Sequence, residues 1–236
     1  MAMKVLAEIL RRYQQGSKML AVLLDPEKPI RLTATDLNSA DLVLIGGSSG
    51  EVSDDFMAKI RILTHRPIVL FPGNVSQFNP LADAILFLSL LSGRNPDVLA
   101  GQQIAAARSI QDSGIEVIPM GYILIDGGRI SSVERASHTT PLDPANIDAI
   151  VDIAIAAQLM GKQLVYLEAG SGALFPVSEE IIKQVRSRLH IPLIVGGGIR
   201  TPQQMKLAFE AGADVVVIGN HFEEHPEQFP LFVQHE

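Results

Sequence analysis

Eight short runs of nearly continuous apolar residues, near 19–24, 42–45, 67–71, 84–90, 115–122, 163–168, 192–195 and 214–218, most restrict the folds open to this chain. A strand with one wet face alternates apolar and polar residues; a continuous apolar run belongs to a strand covered on both faces by crossover helices. Amphipathic segments between the runs supply those helices. Gly16, Gly114, Gly161 and Gly212 each stand shortly before a run, where a glycine accepts the left-handed conformation that closes a helix. Pro67 and Pro192 serve at two other joins. Asn95-Pro96, Asp143-Pro144 and Thr201-Pro202 each place a capping side chain before a proline at N1, and Ser178 is placed to cap the helix after it. Repeated alternation of this kind in 236 residues predicts one α/β domain over residues 1–236, a (β/α)8 barrel of the TIM type rather than an open sheet. The link after the third run, residues 72–83, is too short and turn-rich for a full helix, and an irregular segment is expected there.

Composition removes several function classes. Cysteine is absent, which excludes disulfides, thiolate metal sites and a cysteine nucleophile. The formal charge of −7 is interspersed with no basic stripe, so no nucleic-acid partner is expected. The longest apolar run, 82–91, is interrupted by Asp83 and falls far short of the roughly 20 residues a membrane span needs. Residues 1–20 read as an amphipathic helix with Arg11 and Arg12 on its wet side, not as a secretory signal, and a cytoplasmic location is expected.

Barrels of this type place their chemistry where strands end at the C-terminal face. After strand 7 the chain reads Gly196-Gly197-Gly198-Ile199-Arg200, and after strand 8 Gly219-Asn220. Glycines admit a phosphate close to backbone N–H groups, and the helix that follows favours its charge, so this pair of loops is expected to bind phosphate. Asp25 after strand 1 and Ser48 after strand 2 offer oxygen ligands of the kind Mg²⁺ takes; a local turn at Asp25 and a plain turn residue at Ser48 are the competing readings. Glu168 ends a very apolar strand, where burial raises a carboxyl pKa and suits it to accept a proton; a glutamate tied to nearby N–H groups is the alternative. Tyr166 shares its side of the strand and is either a barrel-filling ring or a hydroxyl aimed at substrate. Of the lysines only Lys28 belongs to the active face, in a loop, which disfavours a Schiff base. His65 and His190 fall on the opposite face, no helical zinc pair is read among the other histidines, and His138 and His221 are within reach of the active face but expected at the surface.

The stretches LLDPEK at 23–28, IGGSSG at 45–50, YLEAGSG at 166–172, VGGGIRTP at 195–202 and IGN at 218–220 together resemble the geranylgeranylglyceryl phosphate synthase family, including its bacterial heptaprenylglyceryl relatives. The resemblance implies Mg²⁺-dependent transfer of a long isoprenyl group, geranylgeranyl or longer, from its diphosphate to the 3-hydroxyl of sn-glycerol 1-phosphate, by an enzyme that forms homo-oligomers. It assigns the metal to Asp25 and Ser48. It assigns glycerol phosphate to Tyr166, Leu167, Glu168, Ala169, Gly170, Ser171, Gly172, Gly197, Gly198, Gly219 and Asn220. Leu23 stands where some relatives have a lysine, a departure that removes any strand 1 lysine contact to phosphate. The prenyl tail is expected in an apolar groove near Phe78 and Tyr122, with Phe87, Leu88 and Leu90 either part of it or plain core. Another phosphate-binding isomerase or lyase, and a noncatalytic binder of prenyl phosphates, are the competing functions.

Overall fold

The computed structural model describes residues 4–47 and 50–233. Strands β1 (Met19–Leu24), β2 (Leu42–Ile45), β3 (Ile68–Leu70), β4 (Ala84–Leu90), β5 (Glu116–Leu124), β6 (Leu164–Glu168), β7 (Leu193–Gly196) and β8 (Val215–Ile218) pair in parallel in chain order, and β8 pairs with β1 to close the barrel. Around them run α1 (Val5–Gln14), α2 (Ala34–Ser39), α3 (Asp54–Leu63), α4 (Gln102–Ser113), α5 (Ser132–Ser137), α6 (Ile147–Leu159), α7 (Glu179–Arg186), α8 (Pro202–Ala211), α9 (Asn220–Glu224) and α10 (Phe229–Val233). Among the described residues no helix is long and apolar enough to cross a membrane.

Strand side chains alternate between two apolar layers, which explains the continuous apolar runs. Ala21, Leu44, Val69, Leu86, Met120, Tyr166, Ile194 and Val217 fill the interior. Val22, Val43, Ile68, Ile85, Leu167, Val195 and Val216 face the helices. Helix α1 covers the lower end of the interior: Val5 and Ile9 join the inner layer, and the Glu116 carboxylate at the start of β5 accepts from the Val5 and Leu6 N–H groups at 2.6 and 3.2 Å. A carboxylate there satisfies two helix-end donors and complements the helix dipole. The barrel is thus closed below and open above.

The expected helix ends hold where their chemistry is local. Gly16, Gly114, Gly161 and Gly212 have φ of +70°, +70°, +81° and +116°. Thr201 and Ser178 accept from the Gln204 and Ile181 N–H groups as caps of α8 and α7. Asp143 departs from expectation. Its carboxylate closes a turn by accepting from Ala145 N–H at 2.8 Å, and the cap of α6 is Asn146, which accepts from Ala149 N–H. Strand β5 continues to Leu124, two residues beyond its expected end, and Ile125 bridges to Leu142. After β3 there is only one 3₁₀ turn, Val75–Gln77, so the helical ring is open beside β3 and β4.

Candidate active site

The period of two along a strand decides which side chains reach the barrel mouth. Counting upward from Ala21 and Leu23 gives Asp25, from Leu164 and Tyr166 gives Glu168, from Ile194 gives Gly196, and from Val215 and Val217 gives Gly219. Asp25, Glu168, Gly197, Gly198, Gly219 and Asn220 all line a cavity of about 240 Å³ at this mouth, with Gly170, Ser171 and Gly172. Leu167 and Ala169 do not line it. Their side chains take the other parity and are buried against the helices, although a Cβ on Gly197 would lie 2.9 Å from the backbone N of Ala169. Ser48 lies outside the described residues.

Backbone geometry makes the cradle. Gly170, Gly172, Gly197 and Gly198 have φ of +101°, +74°, +83° and +72°, which side chains rarely tolerate. A Cβ on Gly197 would lie 2.3 Å from Glu168 Oε1 and 2.7 Å from Gly170 N, inside the space the three loops enclose. Ser171 Oγ donates to Asn220 Oδ1 at 3.0 Å, tying the β6 loop to the β8 loop. The Arg200 guanidinium turns back onto the carbonyls of Ala173, Leu174 and Gly198 and braces these loops.

Glu168 is 6% exposed, and burial pushes its carboxyl up to about 7, opposed by hydrogen bonds from Gly170 N–H and the Tyr166 hydroxyl. The Gly170 N–H donates to Oε1 at 2.6 Å. Glu168 is thus anchored to a local donor, and a carboxyl that titrates near 7 has the range a general base needs. Tyr166 likewise serves twice: its ring fills the barrel against Phe71 and Tyr122, at centroid distances of 5.2 and 5.3 Å, while its hydroxyl orients Glu168. Burial raises both tyrosine hydroxyls well above their usual range, so they stay protonated donors. Gly196 makes room for this arrangement, because a Cβ there would lie 2.1 Å from the Tyr166 hydroxyl. A Gly196→Ala variant is expected to lose about 1–3 kcal/mol of stability and to lose turnover with it, read by thermal unfolding beside a rate assay.

Asp25 closes a local turn. Its Oδ1 accepts from Glu27 N–H at 3.0 Å in a local turn, and Oδ2 lies 3.9 Å from Lys28 Nζ. Gly47 keeps the approach clear, since a Cβ there would sit 3.0 Å from Oδ1. Among the described residues no group of three or more His, Asp or Glu is placed to hold a metal. One carboxylate with an open approach suits a hard ion that completes its shell from water and substrate oxygens, as Mg²⁺ does.

The cavity also has an apolar side. Phe78 and Tyr122 line it as expected, but so do Phe87, Leu88 and Leu90, with Val98, Ala106 and Ile110. Phe87 and Leu88 are only partly buried, because no helix follows β3 to cover that part of the ring. His221 was expected at the surface; it lines the cavity instead, its Nε2 buried and its ring against Phe222, His225 and Phe232. His221 and His225 do have helical i, i+4 spacing, which the sequence reading overlooked. His138 is exposed in the left-handed conformation, at φ 51°.

Residues 14–233 match the PcrB family. The chain belongs to that family. A geranylgeranylglyceryl phosphate synthase of Zunongwangia profunda is 47% identical over 234 residues, covering 93% of this chain and 97% of that relative. A Flavobacterium johnsoniae protein of the same name is 45% identical over 92% of each chain. Among solved structures, the (S)-3-O-geranylgeranylglyceryl phosphate synthase of Thermoplasma acidophilum in complex with sn-glycerol-1-phosphate superposes with a TM-score of 0.90, at 35% identity over 98% of this chain and 96% of that one. This PcrB-family barrel is, like these relatives, a prenyltransferase of lipid biosynthesis.

Proposed function

We propose that this PcrB-family enzyme joins a long isoprenyl group, geranylgeranyl in length, to the 3-hydroxyl of sn-glycerol 1-phosphate, with Mg²⁺ at Asp25. The observation that carries the reading is a single cavity lined by the glycine loops after β6, β7 and β8, by the buried Glu168 carboxylate and Asp25, and by apolar side chains of β4, β5 and α4. The Thermoplasma complex supports the choice of acceptor. The phosphate rests on the loops at Gly170–Gly172, Gly197, Gly198, Gly219 and Asn220, and the tail lies along Phe78, Phe87, Leu88 and Ala106.

Mg²⁺ bound by Asp25, with Ser48 as the second ligand the family resemblance implies, supplies positive charge to the diphosphate. The rest is done by the chain. The cradle holds the acceptor so that its 3-hydroxyl faces the allylic C1 of the donor. As the C1–O bond to diphosphate breaks and the leaving group takes the electron pair, the glycerol O3 bonds to C1 and its proton passes to a Glu168 oxygen. Tyr166 and Gly170 hold that carboxylate in place. The reading is tested by binding and by donor length together. Titration is expected to show tighter binding of sn-glycerol 1-phosphate than of its enantiomer. Ala106→Phe is expected to lower kcat/KM for a geranylgeranyl donor by about tenfold or more while sparing a geranyl donor, because it fills the apolar side of the cavity. Equal binding of the enantiomers, or a donor preference untouched by Ala106→Phe, would contradict it.

A further inference from the structure

Glu223 stands on α9, one turn after Asn220, and points back to the end of β1, the strand paired with β8. Its side chain is 11% exposed and lines the cavity. Oε1 accepts from the main-chain N–H of Asp25 at 3.3 Å, and Oε2 accepts from Lys28 Nζ at 2.6 Å. A carboxylate buried to this degree persists when paired and hydrogen-bonded, and both of its oxygens are engaged here. Asn220, in the same short helix, takes the hydrogen bond from Ser171, so this segment connects the acceptor cradle to the loop that carries Asp25.

We propose that Glu223 is a positioning residue for the donor half of the reaction: it fixes the main chain at Asp25 and holds the Lys28 ammonium off the Asp25 carboxylate. This rests on the prenyl-transfer reading. Without Glu223, the Asp25 N–H loses its acceptor, and the nearest carboxylate left to Lys28 is Asp25 itself, whose Oδ2 is already 3.9 Å away. An ammonium resting there competes with a divalent cation for the same oxygen. A glutamine at 223 keeps one acceptor oxygen for Asp25 N–H, but its NH2 stands in place of the oxygen that accepts from Lys28 and its charge is gone.

The test compares wild type with Glu223→Ala and Glu223→Gln. Mn²⁺ affinity is read by electron paramagnetic resonance with inorganic pyrophosphate present, beside steady-state constants and thermal unfolding. Glu223→Ala is expected to weaken Mn²⁺ binding about tenfold and raise KM for the prenyl diphosphate by a similar factor, with KM for glycerol phosphate within about twofold of wild type. Glu223→Gln is expected to recover part of both losses, because it restores the acceptor for Asp25 N–H but not the charged partner of Lys28. Unchanged Mn²⁺ affinity in Glu223→Ala, or parallel loss of both substrates with a fallen Tm and no rescue by glutamine, would overturn the proposal. A wild-type protein that binds Mn²⁺ and pyrophosphate yet forms no lipid would instead overturn the transfer reading, while the Mn²⁺ comparison would still decide the role of Glu223.

Discussion

Replacing Glu168 by glutamine is expected to lower turnover by about 10²–10⁴-fold, the usual contribution of a positioned general base, and to make the protein more stable above neutral pH. The opposite signs share one cause. Burial raises the carboxyl from 4.5 to about 7 in the folded state, so between those values the folded protein binds more protons than the unfolded chain. The native state is therefore least penalised below about pH 4.5 and loses stability as pH rises through about 7. The full loss is about 3 kcal/mol, an order-of-magnitude figure set by the size of the shift. Glutamine carries no charge to bury, while its side-chain oxygen still accepts from Gly170 N–H. At pH 8 Glu168→Gln is expected to melt above wild type, and at pH 5 the two are expected to converge. Wild-type kcat/KM is expected to climb with pH through about 7, as the base loses its proton. A variant with wild-type turnover removes Glu168 from the proton transfer; one that melts below wild type at pH 8 contradicts the burial argument.

Asp25→Asn is expected to reduce turnover on the order of 10²–10³-fold and to raise the Mg²⁺ concentration needed for half-activation, without harm to the fold. Asparagine retains the oxygen that accepts from Glu27 N–H, so the turn after β1 persists and thermal unfolding stays close to wild type. Only the charge that attracts the ion is lost. A variant with unchanged metal dependence moves the ion elsewhere, and a variant that unfolds early shows that the Asp25 turn matters more to the fold than to the reaction.

The barrel was legible because its signals are short-range. Runs such as Met19–Leu24 are apolar on both parities, and glycines such as Gly16 and Gly161 close helices through their own backbone conformation. The glycine loops at the barrel mouth were legible for the same reason, as they act through local turns. What escaped depends on closure of the barrel or on the absence of a helix. Glu223 meets Asp25 across 198 residues of sequence, and only the β8–β1 pairing brings them together. Phe87 and Leu88 look like core in any strand, and become a cavity wall only because the segment after β3 leaves its side of the ring uncovered. At Asp143 two capping residues competed within four positions, and the second, Asn146, took the helix. Leu167 and Ala169 show the limit of reading a motif as a unit, since their side chains turn toward the helices while Ser171, beyond the end of the strand, lines the cavity.

Transfer of radiolabel from sn-glycerol 1-phosphate into an organic-extractable product, with geranylgeranyl diphosphate as donor and with Mg²⁺ or EDTA, tests the central claim most directly. The account predicts labelled lipid in Mg²⁺ and none in EDTA. Folded protein that binds glycerol phosphate but yields no labelled lipid with this donor in Mg²⁺, or yields it equally in EDTA, would contradict it.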